Sequence, residues 1–175
     1  MIVVFTGNGK GKTTASLGQM MRAVGQGKRA IMFQFIKGPW ISGEHKFLDA
    51  MPAFKGKFEI HRGGKGFVGI LGDALPRSAH KKAAAETLAR AANAIASKKW
   101  DVVVLDEVNV AVSLKLISAR QVLAAIKNEP RQMIVVLSGR DAPKSFIARA
   151  DLVTEMKEIK HPHNRGKKAQ VGFEF

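Results

Sequence analysis

Eight consecutive residues near the start of the chain, Gly7-Asn8-Gly9-Lys10-Gly11-Lys12-Thr13-Thr14, directly follow Thr6 and the apolar run Ile2-Val3-Val4-Phe5. Glycines let a backbone curl so that successive N–H groups point inward at an anion. The positive end of a following helix faces that same anion. A strand that feeds such a loop and then a helix is therefore a phosphate cradle. Within it, Lys12 would reach the distal phosphates and the Thr13 hydroxyl would ligate Mg²⁺. The strict pattern Gly-x₄-Gly-Lys-Ser/Thr asks for glycine where this chain has Thr6, with Gly7 one place later. A dinucleotide fingerprint starting at Gly7 fails, because Lys12 takes its third glycine position. The residues suit a nucleoside triphosphate.

A second group would complete that site. The run Asp101-Val102-Val103-Val104-Leu105-Asp106 ends in an acidic pair with Glu107. A carboxylate at the end of a buried strand beside a phosphate loop holds Mg²⁺, directly or through water. In a hydrolase the next carboxylate, here Glu107, can orient an attacking water. Three further polar clusters fall at expected strand ends, where ligands of open α/β sheets gather. They are Gln34 to Trp40, Ser138-Gly139-Arg140-Asp141, and Lys160-His161-Pro162-His163. On the residues alone the reaction stays open.

The elements that must position these groups alternate along the chain, which predicts an α/β fold with a mainly parallel sheet flanked by helices. Strands are expected at residues 2–5, 29–35, 57–61, 101–106, 132–138 and 151–156, the last as a core strand. Helices are expected at residues 13–25, 43–50, 76–99, 118–128 and 143–149, with Ser118 as an N-cap. Residues 63–72 hold five glycines and read as a mobile loop. The tail is basic from Lys157, then returns to strand-like alternation over residues 170–175. One domain covering residues 1–175 is the simplest organisation.

Composition narrows the classes. The chain has no cysteine, which excludes disulfides, thiolate metal sites and cysteine nucleophiles. No apolar run approaches the roughly 20 residues of a membrane span, and no signal peptide is expected ahead of the loop. A cytoplasmic location follows as the expectation. The 29 Lys and Arg against 14 Asp and Glu give a formal charge of +15 in 175 residues. Such a surface attracts polyanions. With no tyrosine, and no basic run interleaved with rings, nucleic acid is not the expected partner.

Taken together, these strings resemble the ATP:corrinoid adenosyltransferases of the P-loop type. The resemblance rests on residues 7–14, on Gln34-Phe35-Ile36-Lys37-Gly38-Pro39-Trp40 with Gly43-Glu44 beyond, and on Val103-Val104-Leu105-Asp106-Glu107. It continues through Ser138-Gly139-Arg140, through Ala150-Asp151-Leu152-Val153-Thr154-Glu155-Met156, and through Lys160-His161 to Ala169-Gln170 and Gly172. It implies a RecA-like P-loop fold that moves the 5′-deoxyadenosyl group of ATP to Co(I) of cobalamin or a precursor corrinoid, releasing triphosphate. Mg²⁺ or Mn²⁺ would be held by Thr13, Asp106 and Glu107. Lys12 and Arg140 carry over as catalytic residues. Gly7, Asn8, Gly9, Lys10, Gly11, Thr13 and Thr14 would line the triphosphate, and His161 in the basic tail would contact substrate.

The resemblance also implies a route to Co(I). Shedding the lower axial ligand eases reduction of Co(II), and apolar side chains in the loop after the third strand do this by occupying that face. Gly66-Phe67 matches, so Phe67 is the expected wedge, whereas Gly69 stands where the family usually carries tryptophan. An electron-donating reductase and a homodimer are implied, and the N-terminal extension of many members is expected to be absent. The alternatives are a RecA-like ATPase acting with nucleic acid, favoured by the charge, and a nucleotide-binding regulator without catalysis.

Overall fold

A computed structural model describes residues 1–70 and 72–173. Its strands are β1 (Ile2–Thr6), β2 (Ala30–Gln34), β3 (Phe58–Arg62), β4 (Val102–Asp106), β5 (Ile134–Ser138) and β6 (Leu152–Glu155). Its α-helices are α1 (Lys12–Gly25), α2 (Gly43–Asp49), α3 (Arg77–Ala96), α4 (Val108–Ser113), α5 (Ala119–Ile126) and α6 (Lys144–Arg149). Short 3₁₀ turns lie at Pro52–Phe54 and Pro162–Arg165.

The six strands form one sheet in the order β3-β2-β4-β5-β1-β6, and every pair is parallel. All loops leaving strand C-termini therefore gather on one edge of the sheet. One strand, β5, separates the phosphate-loop strand β1 from the acidic strand β4, as in RecA-like folds.

Strand side chains alternate between the two faces with period two. Ile31, Phe33, Val103, Leu105, Val135 and Leu137 enter the larger core beneath α3, α4, α5 and α6. Ala30, Met32, Val102, Val104 and Val136 enter the smaller one, covered by Met20, Leu17 and Val24 of α1. Because β2 and β4 are buried along their whole length, they read as unbroken apolar runs rather than alternations. A single long helix on the second face leaves its flank open towards α2.

The order of strands and helices matches the alternation expected. Ser118 caps α5: its Oγ accepts from Gln121 N, and Gln121 Oε1 accepts from Ser118 N at 2.8 Å, a closed capping box. Three expectations change. The apolar sequence Val108-Asn109-Val110-Ala111-Val112-Ser113 forms α4, too short for a helical period to show. Strand β6 is an edge strand with all four residues exposed, not a core strand, because only β1 flanks it. Residues 170–173 make a turn without ladder bonds, and residues 174–175 of the expected last strand lie outside the described residues.

Candidate active site

The phosphate loop is a tight coil seated on the chain beyond β6. A Cβ on Gly7, whose φ is +94°, would fall 2.4 Å from Met156 O. Gly9 N donates to that same carbonyl at 2.7 Å, and a Cβ on Gly9 would meet Lys157 O at 2.8 Å. Only glycine fits either place. Gly11, also at positive φ, precedes α1, whose first turn has no acidic residue and no side-chain cap. The free N–H groups of that turn are left for an anion.

Lys12 opens α1 and is 7% exposed. Its Nζ donates to Gly7 O at 2.8 Å and Gly9 O at 2.6 Å, so the loop wraps its own lysine. Burial lowers the Lys12 pKa from the ordinary lysine value, while the nearby Glu107 and Asp106 charges pull it back up. Asn8 and Lys10 stand exposed at the mouth, with Lys10 Nζ 4.4 Å above the Phe173 ring.

Thr13 Oγ1 donates to Asp106 Oδ1 at 3.1 Å, joining the phosphate loop to the acidic strand. Asp106 is wholly buried and also accepts from Ser138 Oγ at 2.6 Å. Burial raises its pKa, and the two hydroxyls oppose that shift. Ser138 reaches it because β5 lies beside β4; its Oγ also accepts from Glu107 N at 3.1 Å.

Glu107 adopts a left-handed conformation (φ 60°) at the start of α4. Burial, then the Asp106 charge, push its pKa up to about 7, against the pull of Lys12, Arg140 and Lys37. Arg140 is exposed, and its charge acts on both Lys12 and Glu107. Gly139 must be glycine: φ is +128° and a Cβ would sit 3.1 Å from Glu107 Oε2.

This geometry sets a pH dependence. With the folded-state pKa of Glu107 at about 7 and its ordinary value at 4.5, the folded protein holds the extra proton between those limits. Stability of the metal-free, nucleotide-free protein should therefore fall as pH rises from 4.5 towards 7, then level off. Glu107→Gln should flatten that part of the melting profile and melt higher at pH 8. Parallel profiles for the two proteins would count against this assignment.

Sequence reasoning left a polar cluster at the end of β2 unassigned. Gln34, fully buried, donates through Nε2 to Glu44 Oε1 at 3.3 Å and accepts from His45 Nε2 at 3.0 Å. Ser42 N donates to His45 Nδ1 at 3.2 Å, which fixes that tautomer. Burial lowers the His45 pKa, against the pull of the Glu44 charge. Lys37 Nζ lies 3.4 Å from Glu44 Oε1 and 3.2 Å from Ser42 Oγ. Burial would raise the Glu44 pKa, but hydrogen bonds, Ser42's foremost, and the Lys37 charge leave it lowered. The signal was present in the sequence: these residues follow the strand that pairs with β4, as the ligands of an open sheet do.

Thr13, Thr14, Lys37 and Glu44 stand at the polar end of a groove of about 710 Å³. The rest of the groove is apolar, between Leu17 and Met21 of α1 and Phe47, Phe54 and Phe58 opposite. Its size is that of a small-molecule site.

The structure thus brings Lys12, Thr13, Asp106, Glu107 and Arg140 together. Phe67 stands apart, 44% exposed, its ring centroid 5.7 Å from that of Trp40. It lies in the loop after β3, and β3 itself is four places from β1, roughly 19 Å at the usual strand spacing. His161 is half-buried in the tail before the Pro162–Arg165 turn. Among the described residues no cluster of three or more His, Cys, Asp or Glu could hold a metal. Thr13 Oγ1 with the Asp106 carboxylate is, however, the hard-oxygen pair that Mg²⁺ accepts alongside phosphate oxygens. No helix among the described residues is long and apolar enough to cross a membrane.

Comparison with known proteins identifies the family. Residues 1–175 match the family model described as ATP:corrinoid adenosyltransferase BtuR/CobO/CobP. The corrinoid adenosyltransferase of Escherichia coli (strain K12) is 35% identical over 175 residues, covering 100% of this chain and 85% of that protein. The Salmonella typhimurium corrinoid adenosyltransferase CobA is 34% identical, again over all of this chain and 85% of its own. The Pseudomonas aeruginosa corrinoid adenosyltransferase is 37% identical over 100% of this chain and 83% of its length. With the cradle, the buried acid and the full-length match in agreement, the chain belongs to the ATP:corrinoid adenosyltransferase family.

Proposed function

We propose that the protein transfers the 5′-deoxyadenosyl group of ATP to Co(I) of cobalamin or a precursor corrinoid, in corrinoid synthesis or salvage. The observation that carries this reading is a phosphate cradle, Lys12 with Thr13 and Asp106, opening directly into an apolar groove. The triphosphate would lie in residues 7–14 and the adenosine in the groove. Thr14, Lys37 and Glu44 stand at the junction of the two. A carboxylate such as Glu44 repels phosphate and accepts ribose hydroxyls, which favours the sugar at that position.

In the reaction the cobalt lone pair forms the Co–C5′ bond as the C5′–O bond breaks. Both electrons of that C–O bond leave with triphosphate, and the cobalt ends as Co(III)-alkyl. Charge grows on the leaving oxygens, where Lys12, the loop N–H groups and Arg140 would stabilise it. A bound Mg²⁺ or Mn²⁺ supplies further positive charge to the triphosphate; Thr13 and Asp106 would hold it, with Glu107 beside them. No water is activated, so Glu107 needs no role as a base. Lys10, Asn8 and His161 complete the contacts to phosphate or corrinoid. A reductase supplying the electron for Co(II), a homodimer, a single domain and a cytoplasmic location belong to the same reading.

Because only the C5′–O bond breaks, β,γ-methylene-ATP should support transfer and release its methylene triphosphate whole. Transfer with ATP but none with this analogue, although it binds, would show that β–γ cleavage is required and overturn the mechanism.

Phe67 would occupy the lower face of the corrinoid and so ease reduction. Phe67→Ala should slow turnover started from Co(II), by about tenfold, and leave turnover started from Co(I) unchanged. Gly69→Trp should speed the Co(II)-started reaction. Equal rates for wild type and both variants would remove the wedge.

A further inference from the structure

Phe67 sits in a loop that five glycines make costly to order, yet both halves of the loop are fastened. On the entry side Gly63 N and Gly64 N donate to Gln34 O at 2.9 and 3.1 Å, and Gly66 N donates to Ile36 O at 3.1 Å. A Cβ on Gly66 would fall 2.9 Å from the Trp40 ring, so the loop lies flat against that indole. On the exit side the fastening converges on one carboxylate. Asp73 Oδ2 accepts from Gly69 N at 2.8 Å and pairs with His80 Nε2 at 2.9 Å. Asp73 Oδ1 accepts from Leu75 N at 3.1 Å.

That pair is buried where little else is. The side chains of Asp73 and His80 are 8% and 2% exposed, whereas Phe67 and Ile70 of the same loop, and Trp40 beside Phe67, are 44%, 59% and 58% exposed. The hydrogen bonds from Gly69 and Leu75 favour the ionised carboxylate, holding the Asp73 pKa low. A rigid helix, α3, supplies His80. The result is an exposed aromatic step held from both sides before any ligand arrives. Ordering in advance removes an entropy cost from binding.

We propose that Asp73 and His80 are positioning residues for the reduction of Co(II) that precedes transfer: their buried contact clamps the glycine loop to α3 and sets Phe67 against the lower face of the corrinoid. The proposal rests on the reading of Phe67 given above. Asp73 and His80 share no hydrogen bond with the phosphate cradle: Lys12 bonds to Gly7, Gly9 and Ser16, and Asp106 to Thr13, Ser138 and Gln34.

The test compares Asp73→Ala, His80→Ala and His80→Gln with wild type and Phe67→Ala, in transfer assays started from Co(II) cobalamin with one fixed one-electron reductant supplied, and from chemically reduced Co(I) cobalamin. Electron paramagnetic resonance of bound Co(II) reports the lower ligand, through the nitrogen splitting that vanishes when it leaves. Asp73→Ala and His80→Ala should slow the Co(II)-started reaction about tenfold and retain the nitrogen splitting. The Co(I)-started rate and the KM for ATP should be unchanged. His80→Gln, whose amide can still donate to Asp73, should recover most of the loss.

A parallel fall in both assays would reduce the pair to a structural role, and no fall in either would overturn the clamp. If Phe67→Ala slows the Co(II)-started reaction while the Asp73 and His80 variants do not, the clamp alone fails. If Phe67→Ala has no effect, the reading of Phe67 fails and the clamp with it. Should Asp73→Ala not fold, the two His80 variants decide the matter.

Discussion

Lys12→Ala should lower adenosyl transfer by about 10²-fold or more, with the fold retained. Lys12 is 7% exposed and its ammonium is held by Gly7 O and Gly9 O, so a site for a cation is built into the loop before substrate arrives. On the proposed reading, when the C5′–O bond breaks the new charge would develop on oxygens within that loop. An interaction stronger in the transition state than in bound ATP acts on kcat rather than on KM. The loss should therefore fall mainly on kcat, measured with Co(I) supplied chemically so that reduction does not limit. Lys12→Arg should not restore the rate, because the enclosing loop fits a point charge rather than a guanidinium fork. Near-normal kcat in Lys12→Ala would remove the lysine from the chemistry.

The second large effect joins stability to activity. Asp106 is wholly buried, and burial raises its pKa. A carboxylate with its folded-state pKa above the unfolded value destabilises the fold at every pH where it is ionised in both states. Thr13 and Ser138 soften that cost without removing it. Asp106→Asn keeps an oxygen for both hydroxyls and discards the charge. The variant should be more stable without metal or nucleotide, by about 1–3 kcal/mol at pH 8, and transfer should drop about 10²-fold. Differential scanning calorimetry beside the Co(I)-started assay reads both. An Asp106→Asn protein that melts lower and transfers normally would show the carboxylate to be structural.

The phosphate loop was legible because its requirements are local. Gly7, Gly9 and Gly11 answer to close approach or positive φ within a few residues, and Lys12 and Thr13 follow at fixed spacing. The order of strands and helices was legible for the same reason, since each buried run is bounded by its own turns. Ser138 as a partner of Asp106 was not, because 32 residues separate them and only the β4–β5 pairing brings them together. Gln34, Lys37 and Glu44 were visible as parts of a motif, but their network with Ser42 and His45 was not. Its bonds depend on how α2 folds back over the end of β2. Strand β6 misled through Leu152 and Val153, apolar side chains that the sheet edge leaves 45% and 41% exposed. The clamp of Asp73 and His80 had no signal at all: it crosses the turn into α3, which no period reveals.

The most direct test of the central claim is an anaerobic incubation with Mg²⁺·ATP and chemically reduced cobalamin, following the cobalt spectrum and the phosphate products together. The account predicts adenosylcobalamin and intact triphosphate in equal amounts. ADP and phosphate, with no alkylated cobalt, would contradict it and point instead to an ATPase.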